Sequence, residues 1–177
     1  MEGQTFTLHA GDFYHSDYEI KLPGEHQIKN TSVAIVAAKL VNKQDDRINE
    51  LALHVGVANT VWPGRLERIH KNPDIILDGA HNPDGAKALR NALDKYYPGK
   101  QVQFVFGMMG DKDMSGVIKT LIKQDDVVYT VRADEGARAA EAADLAKLVG
   151  SNAVAAADLA TAYDAAIRNA GTDGVVC

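Results

Sequence analysis

The stretch DIILDGAHNP, residues 74–83, decides the fold class. Its apolar start is typical of a buried strand, and the glycine and alanine that follow favour a tight loop. Asn82 is a good helix cap, and Pro83 suits the first helical turn. We therefore predict a strand, a short loop and a helix, with the loop at the carboxyl end of the strand.

The same alternation of strand and helix continues along the chain. We predict strands at 66–70, 74–78, 102–107, 127–131, 153–156 and 174–177, and helices at 83–97, 115–123, 140–149 and 159–170. Apolar strands separated by helices indicate a Rossmann-like α/β fold, a mostly parallel sheet with helices on both faces. Such sheets bind ligands at the carboxyl ends of their strands, so the loops there are the candidates for chemistry.

The first part of the chain has a different pattern. Alternating apolar residues predict strands at 5–8 and 18–22, with a turn at 10–12 between them. We expect one helix at 32–40, capped by Asn30 or Thr31, and a second helix from Arg47 to Val55. These elements form no obvious sheet of their own and resemble the end of a domain.

A turn at Pro63-Gly64 separates the two patterns. We therefore predict one domain over residues 1–60 and a second over 61–177. The last predicted strand is very short, and we expect the second domain to be truncated at its end.

Composition excludes several classes of function. The 177 residues are 46% hydrophobic and 24% charged, which suits a globular protein. A net charge of −5 without a Lys/Arg-rich run argues against nucleic acid as a partner. Cys177 is the only cysteine, no apolar run approaches the roughly 20 residues of a membrane span, and no signal peptide is evident. We predict a cytoplasmic monomer with no membrane contact.

The loop at 78–83 is the strongest candidate for a ligand site. Asp78 at the strand end is placed to accept hydrogen bonds from ribose hydroxyls, and His81 can donate or accept. The start of the following helix favours an anion. The same residues also fit a purely structural role, with Asp78 and Asn82 as turn and cap residues and an exposed His81.

Other loops are weaker candidates. Arg65 follows the turn and offers a planar fork for phosphate oxygens. Lys112, between Asp111 and Asp113 in the loop 107–113, is placed to pair with a substrate carboxylate. The charged loop 132–138 follows the next strand, and all three features also fit solvated turns.

No P-loop, G-x-G-x-x-G fingerprint, zinc-ligand spacing or G-x-S-x-G motif is present. The residues alone indicate loops able to hold an anionic ligand.

Taken in order, the motifs resemble the folylpolyglutamate synthase and dihydrofolate synthase family of the Mur ligase superfamily. The resemblance runs from about Phe6 to Val176, and the Trp-Pro-Gly-Arg and Asp-Gly-Ala-His-Asn-Pro motifs are its most specific part. The matching segments are Gly24-Glu25-His26-Gln27 followed by Asn30, then 62–67, 77–83, 110–113 and 137–139.

The resemblance implies an ATP-dependent ligase that adds L-glutamate to folate or tetrahydrofolate through an acyl phosphate. It implies that Arg65 contacts an ATP phosphate, Asp78 contacts the ribose, and Lys112 binds a glutamate carboxylate. His81 and Asn82 would lie between the nucleotide and glutamate, with His81 as the catalytic residue. We therefore expect Arg65, Asp78 and His81 to face one shared cleft.

The resemblance also implies which parts this chain does not contain. Residues 1–60 would be the carboxyl-terminal remnant of a central ATPase domain, and 61–177 the glutamate-ligase domain. ATP and Mg²⁺ would be the cofactors, with the metal ligands, P-loop and folate pocket mainly in a preceding part. The chain alone is therefore expected to be inactive.

Two other functions fit the same sequence. One is a Mur ligase that adds an amino acid to a peptidoglycan precursor. The other is a non-catalytic module that binds a nucleotide, which predicts useful nucleotide affinity for the chain alone.

Overall fold

The computed structural model of the chain describes residues 3–11, 14–42 and 48–177. The chain divides into two compact units, Met1–Glu67 and Arg68–Cys177. In the described part of the chain, no helix combines the length and apolar character that a membrane crossing requires.

The first unit consists of a β-hairpin and two helices. Strands β1 (Gln4–Ala10) and β2 (Tyr14–Ile20) pair antiparallel, and helices α1 (Glu25–Asn42) and α2 (Glu50–Ala58) follow. The alternation in the sequence puts one face of the hairpin into the core. That core contains the buried side chains Leu8, Tyr18, Ile35 and Leu53. Both predicted strands exist, but β2 begins four residues earlier than the predicted range 18–22.

The predicted start of α1 is wrong. The helix begins at Glu25, and the N–H of Gln27 donates to the carbonyl oxygen of Gly24 at 3.0 Å. Asn30 and Thr31 therefore lie inside the helix rather than at its cap. An acidic residue in the first turn suits the positive end of the helix dipole, and Glu25 provides it.

Helix α2 begins later than predicted. Its cap is Asn49, whose Oδ1 accepts the N–H of Ala52 at 2.9 Å. The predicted first residue, Arg47, lies outside the described residues, as does Asp12 at the end of the predicted turn.

The second unit is a six-stranded sheet with four helices. The order across the sheet is β3-β4-β8-β5-β6-β7, and all pairs from β4 to β7 are parallel. Only three residues connect β3 to β4, so these neighbours run antiparallel. The strands are β3 (Glu67–His70), β4 (Asp74–Leu77), β5 (Val102–Phe106), β6 (Val127–Thr130), β7 (Ala153–Ala155) and β8 (Val175–Val176), and the helices are α3 (Pro83–Tyr96), α4 (Met114–Leu121), α5 (Ala142–Val149) and α6 (Leu159–Ala170).

The path of the chain places helices on both faces of this sheet. The crossovers through α3, α4 and α5 all progress from β4 towards β7, whereas α6 returns the chain to β8. Right-handed crossovers in opposite directions put their helices on opposite faces. The buried Ala162 and Ala166 of α6 pack with Ile75, Tyr129 and Val176. The predicted α/β fold with a mostly parallel sheet is confirmed.

One buried carboxylate joins three elements of the second unit. Asp126 accepts hydrogen bonds from Arg90 Nη1 at 3.0 Å, from the N–H of Val102 at 3.0 Å and from the N–H of Lys123 at 2.9 Å. The side chains of Asp126 and Arg90 are only 3% and 8% exposed. The pair therefore holds α3 and β5 against the turn that precedes β6.

We predict that Asp126→Ala lowers the free energy of unfolding by about 3 kcal/mol. It removes the carboxylate that accepts from Arg90 Nη1 and from the N–H groups of Val102 and Lys123. Arg90 Nη2 keeps its ion pair with Asp94 at 2.8 Å. The matched control is Asp125→Ala, since the neighbouring aspartate is exposed. Urea unfolding followed by circular dichroism measures both. Equal effects of the two substitutions would contradict the structural role of Asp126.

A second polar cluster makes the stability of this unit depend on pH. Burial alone would raise the pKa of Asp74, but hydrogen bonds from Tyr97 and Arg68 outweigh it and lower the pKa from its ordinary 3.8. The Tyr97 hydroxyl donates to Asp74 Oδ2 at 2.7 Å. A lowered pKa stabilises the fold above the unfolded-state value, and this contribution is lost as the pH falls through the folded-state value.

We predict that Tyr97→Phe raises the pKa of Asp74 and costs about 1 to 2 kcal/mol at neutral pH, because a hydrogen bond to a charged acceptor is lost. The loss should shrink as the pH falls from 3.8 towards the lower folded-state pKa, because Asp74 is protonated in both states only below that value. Urea unfolding at pH 7 and pH 3 measures this, with Tyr96→Phe as the control. A loss of the same size at both pH values would show that only packing had changed.

Candidate functional site

Three loops leave the sheet of the second unit at the same edge. They follow β4, β5 and β6, whose parallel pairing puts all their carboxyl ends on one side. Strand β8 lies between β4 and β5, so the first loop emerges about 10 Å from the second, given a strand spacing of about 4.8 Å. This edge is the candidate ligand site.

The loop after β4 is held by its own polar side chains. Asp78 Oδ1 accepts the N–H of Ala80 at 2.8 Å, and His81 Nδ1 lies 2.9 Å from the carbonyl oxygen of Gly79. The carbonyl can only accept, so Nδ1 carries the proton and Nε2 of the neutral ring is an acceptor. Asp78 is half-buried and His81 is exposed.

The predicted cap at the end of this loop is confirmed. Asn82 Oδ1 accepts the N–H of Gly85 at 2.8 Å, and α3 starts at Pro83. Asn82 itself is exposed at the edge. The first turn of α3 therefore presents the positive end of its dipole beside Asp78 and His81.

The loops after β5 and β6 are joined to each other. Met109 and Ala139 form an antiparallel bridge, the N–H of Gly110 donates to the carbonyl oxygen of Arg138 at 2.7 Å, and Ala140 bonds Met108 at 2.9 Å. In the sequence these loops are separate features, and their pairing was not predicted. The signal that marks it is the pair of glycines flanking Met108-Met109.

Gly107 permits the close approach of these two loops. A Cβ atom at this position would lie 3.0 Å from the carbonyl oxygen of Val131 and 3.2 Å from the backbone of Ala133. Both distances are too short for an ordinary contact. A glycine at the end of β5 is therefore a packing requirement of the edge.

The charged residues in these two loops have different roles. Asp113 caps α4, with Oδ1 accepting the N–H of Gly116 at 2.9 Å, so its carboxylate is held by the helix. Lys112 is exposed beside it. Arg132 donates to the carbonyl oxygen of Gly136 at 3.0 Å and lies 3.5 Å from Glu141. Lys112 is thus placed at the edge, and its contact with a carboxylate stays a prediction.

Arg65 lies in the first unit, and the other four candidate residues lie in the second. The turn before Arg65 is fixed locally, because the N–H of Gly64 donates to Glu67 Oε2 at 2.7 Å. The next residue, Leu66, is buried and has a φ of 46°, which is unfavourable for a bulky side chain. A shared cleft for Arg65, Asp78 and His81 stays a prediction.

The described residues do not form a metal site with several side-chain ligands. Within residues 3–11, 14–42 and 48–177, no three His, Cys, Asp or Glu side chains come together in a way that would hold an ion.

Comparison with known proteins shows the family to which this chain belongs. Residues 64–177 match the family described as Mur ligase, glutamate ligase domain. The chain therefore belongs to the Mur ligases, through their glutamate ligase domain.

Curated relatives narrow the resemblance further. The folylpolyglutamate synthase of Lacticaseibacillus casei is 36% identical over 130 residues, which cover 73% of this chain and 30% of that protein. The chain thus spans less than a third of the length of this relative.

Solved structures of folylpolyglutamate synthases are similar to this chain over most of its length. A Mycobacterium tuberculosis folylpolyglutamate synthase complexed with ADP superposes with a TM-score of 0.79 at 30% identity, covering 91% of this chain and 39% of that one. A bifunctional folylpolyglutamate synthase/dihydrofolate synthase with Mn, AMPPNP and L-glutamate bound gives a TM-score of 0.73 at 31% identity, covering 89% and 37%.

Proposed function

We propose that this chain is the carboxyl-terminal part of an ATP-dependent ligase that adds L-glutamate to a folate. The observation that carries the proposal is the family match over residues 64–177, with folylpolyglutamate synthases among the relatives. Structures of similar proteins contain ADP, or AMPPNP with Mn and L-glutamate. ATP and a divalent metal ion are accordingly the proposed cofactors, with the metal held outside the described residues.

The proposed reaction has two chemical stages. The terminal carboxylate of the folate attacks the γ-phosphorus of ATP, which releases ADP and leaves an acyl phosphate. The amine of glutamate then attacks the acyl carbon, and the tetrahedral intermediate expels inorganic phosphate to leave an amide. Activation is needed because a carboxylate is a poor electrophile, and phosphate is a far better leaving group than oxide.

The edge of the sheet suits the nucleotide and glutamate. A carboxylate accepts up to about four hydrogen bonds, so Asp78 can hold its turn and also contact a ribose. The acceptor Nε2 of His81 suits the ammonium or amine of an incoming glutamate, and the exposed Asn82 lies next to it. Lys112 supplies a positive charge for a glutamate carboxylate, and Arg65 is proposed to contact an ATP phosphate.

The first unit is proposed to be the end of a larger ATPase domain. Helix α1 buries Ile35 but also carries a second apolar stripe on its exposed side, at Val33, Ala34, Ala37, Leu40 and Val41. Val33 is 71% exposed and Leu40 is 52% exposed. A helix that is apolar on two faces is typical of a helix packed between two layers of a domain. The stripe therefore supports a further layer of the proposed ATPase domain packed against this side of α1.

A chimaera tests the proposal directly. In it, this chain replaces the matching region of the Lacticaseibacillus casei folylpolyglutamate synthase, and incorporation of labelled glutamate into tetrahydrofolate is measured. We expect ATP-dependent ligation by the chimaera and none by the 177-residue chain alone. Asp78→Ala and Arg65→Ala should each lower kcat/KM at least tenfold, whereas Asn91→Ala, at an exposed position in the third turn of α3, should stay within about twofold.

Two results would contradict the proposal. One is turnover by the chain alone, and the other is a folded chimaera whose rate is indifferent to Asp78→Ala and Arg65→Ala. Tight binding of AMPPNP to the chain alone, measured by calorimetry, would favour the non-catalytic nucleotide-binding module.

A substitution in the exposed apolar stripe of α1 gives a second, independent test with the same chimaera. Leu40→Lys should leave the stability of the chain alone unchanged, because the side chain is already exposed, yet should abolish folding of the chimaera. Lys29→Gln, at an exposed polar position of α1, is the control. A chimaera that tolerates Leu40→Lys would show that the stripe has no neighbour.

A further inference from the structure

The solvent-exposed face of the hairpin in the first unit carries a pair of histidines. His9 on β1 lies directly opposite His15 on β2. Their ring centroids are 4.1 Å apart, and the two Nδ1 atoms are separated by 2.9 Å. Both side chains are exposed, and the paired strands fix the spacing of their backbones.

The 2.9 Å separation of the two Nδ1 atoms is closer to the spacing of two metal ligands at a right angle than to that of two ligands at a tetrahedral angle. Imidazole nitrogens bind transition metals at about 2.0 Å, so two of them at a right angle stand about 2.8 Å apart. At a tetrahedral angle the same bonds would separate them by about 3.3 Å. The observed 2.9 Å therefore suits adjacent positions of a tetragonal ion such as Cu²⁺ or Ni²⁺.

The surroundings of the pair favour a cation. The same face of the two strands carries the acidic residues Asp17 and Glu19 and no lysine or arginine within β1 and β2. The Thr7 hydroxyl donates to Asp17 Oδ1 at 2.6 Å, which leaves that carboxylate beside the histidines as a local negative charge. No third side-chain ligand joins the pair in the described part of the chain, so water would complete the coordination.

We propose that His9 and His15 form a two-nitrogen chelate for a divalent transition-metal ion, with Cu²⁺ preferred over Ni²⁺ and Zn²⁺. Cu²⁺ forms the strongest complexes of the divalent first-row metals at nitrogen sites. Without metal, one Nδ1 carries a proton and donates to the other. On binding, this proton moves through water to Nε2 of the same ring, both Nδ1 lone pairs face the ion, and no net proton is released. The proposal is independent of the ligase function.

Titration of the whole chain with Cu²⁺ alone tests the proposal. We expect one Cu²⁺ per chain by calorimetry, and an electron paramagnetic resonance spectrum with hyperfine splitting from two nitrogens. His9→Gln and His15→Gln should each weaken binding at least tenfold and remove one nitrogen from the spectrum. His70→Gln, another exposed histidine on a strand, should change neither measurement. Ni²⁺ and Zn²⁺ should bind more weakly than Cu²⁺.

Far-UV circular dichroism and urea unfolding without metal establish that the variants are folded. If the His9 and His15 variants are folded and bind Cu²⁺ as tightly as the parent, the pair is only a cross-strand hydrogen bond and the proposal fails. It also fails if the parent shows no binding stronger than that of the His9→Gln, His15→Gln double variant.

Discussion

Parallel pairing from β4 to β7 is the constraint on which the second unit depends. It brings the loops after β4, β5 and β6 to one edge, and the return of α6 to the central β8 covers the other face of the sheet. The buried Asp126 stabilises the opposite edge by joining Arg90 to the start of β5. The edge with the candidate loops is thus supported by a scaffold whose buried Asp126 has its hydrogen-bond partners at the opposite edge.

Much of this fold follows from local sequence patterns. Apolar strands and caps such as Asn82 depend on neighbouring residues, so the alternation of strands and helices was predictable to within a few residues. The position of β8 between β4 and β5 was not, because it depends on pairing across some 70 to 100 residues. The start of α1 was missed because a glycine, Gly24, and an acidic first turn replace the usual polar cap.

The candidate site likewise has one part that local sequence patterns predict and another that depends on long-range pairing. The local geometry of Asp78, His81 and Asn82 follows from the rules for turns and caps. The bridge between Met109 and Ala139 joins residues 30 positions apart, and the glycines that flank Met108-Met109 mark the loop but do not identify its partner. The structural roles leave room for the proposed functional ones: Asp78 and Asn82 hold the loop, and Asp113 caps α4, while His81 and Lys112 are exposed at the edge.

We propose that this one edge of the sheet receives the nucleotide and glutamate. A titration of the ¹⁵N-labelled chain with AMPPNP, followed by NMR, tests it most directly, because chemical shifts report even weak binding. We predict shifts confined to the residues around Arg65 and to residues 78–85, 107–113 and 132–141. Shifts confined to residues 97–101 and 123–126 at the opposite edge, or none at millimolar nucleotide, would contradict the account.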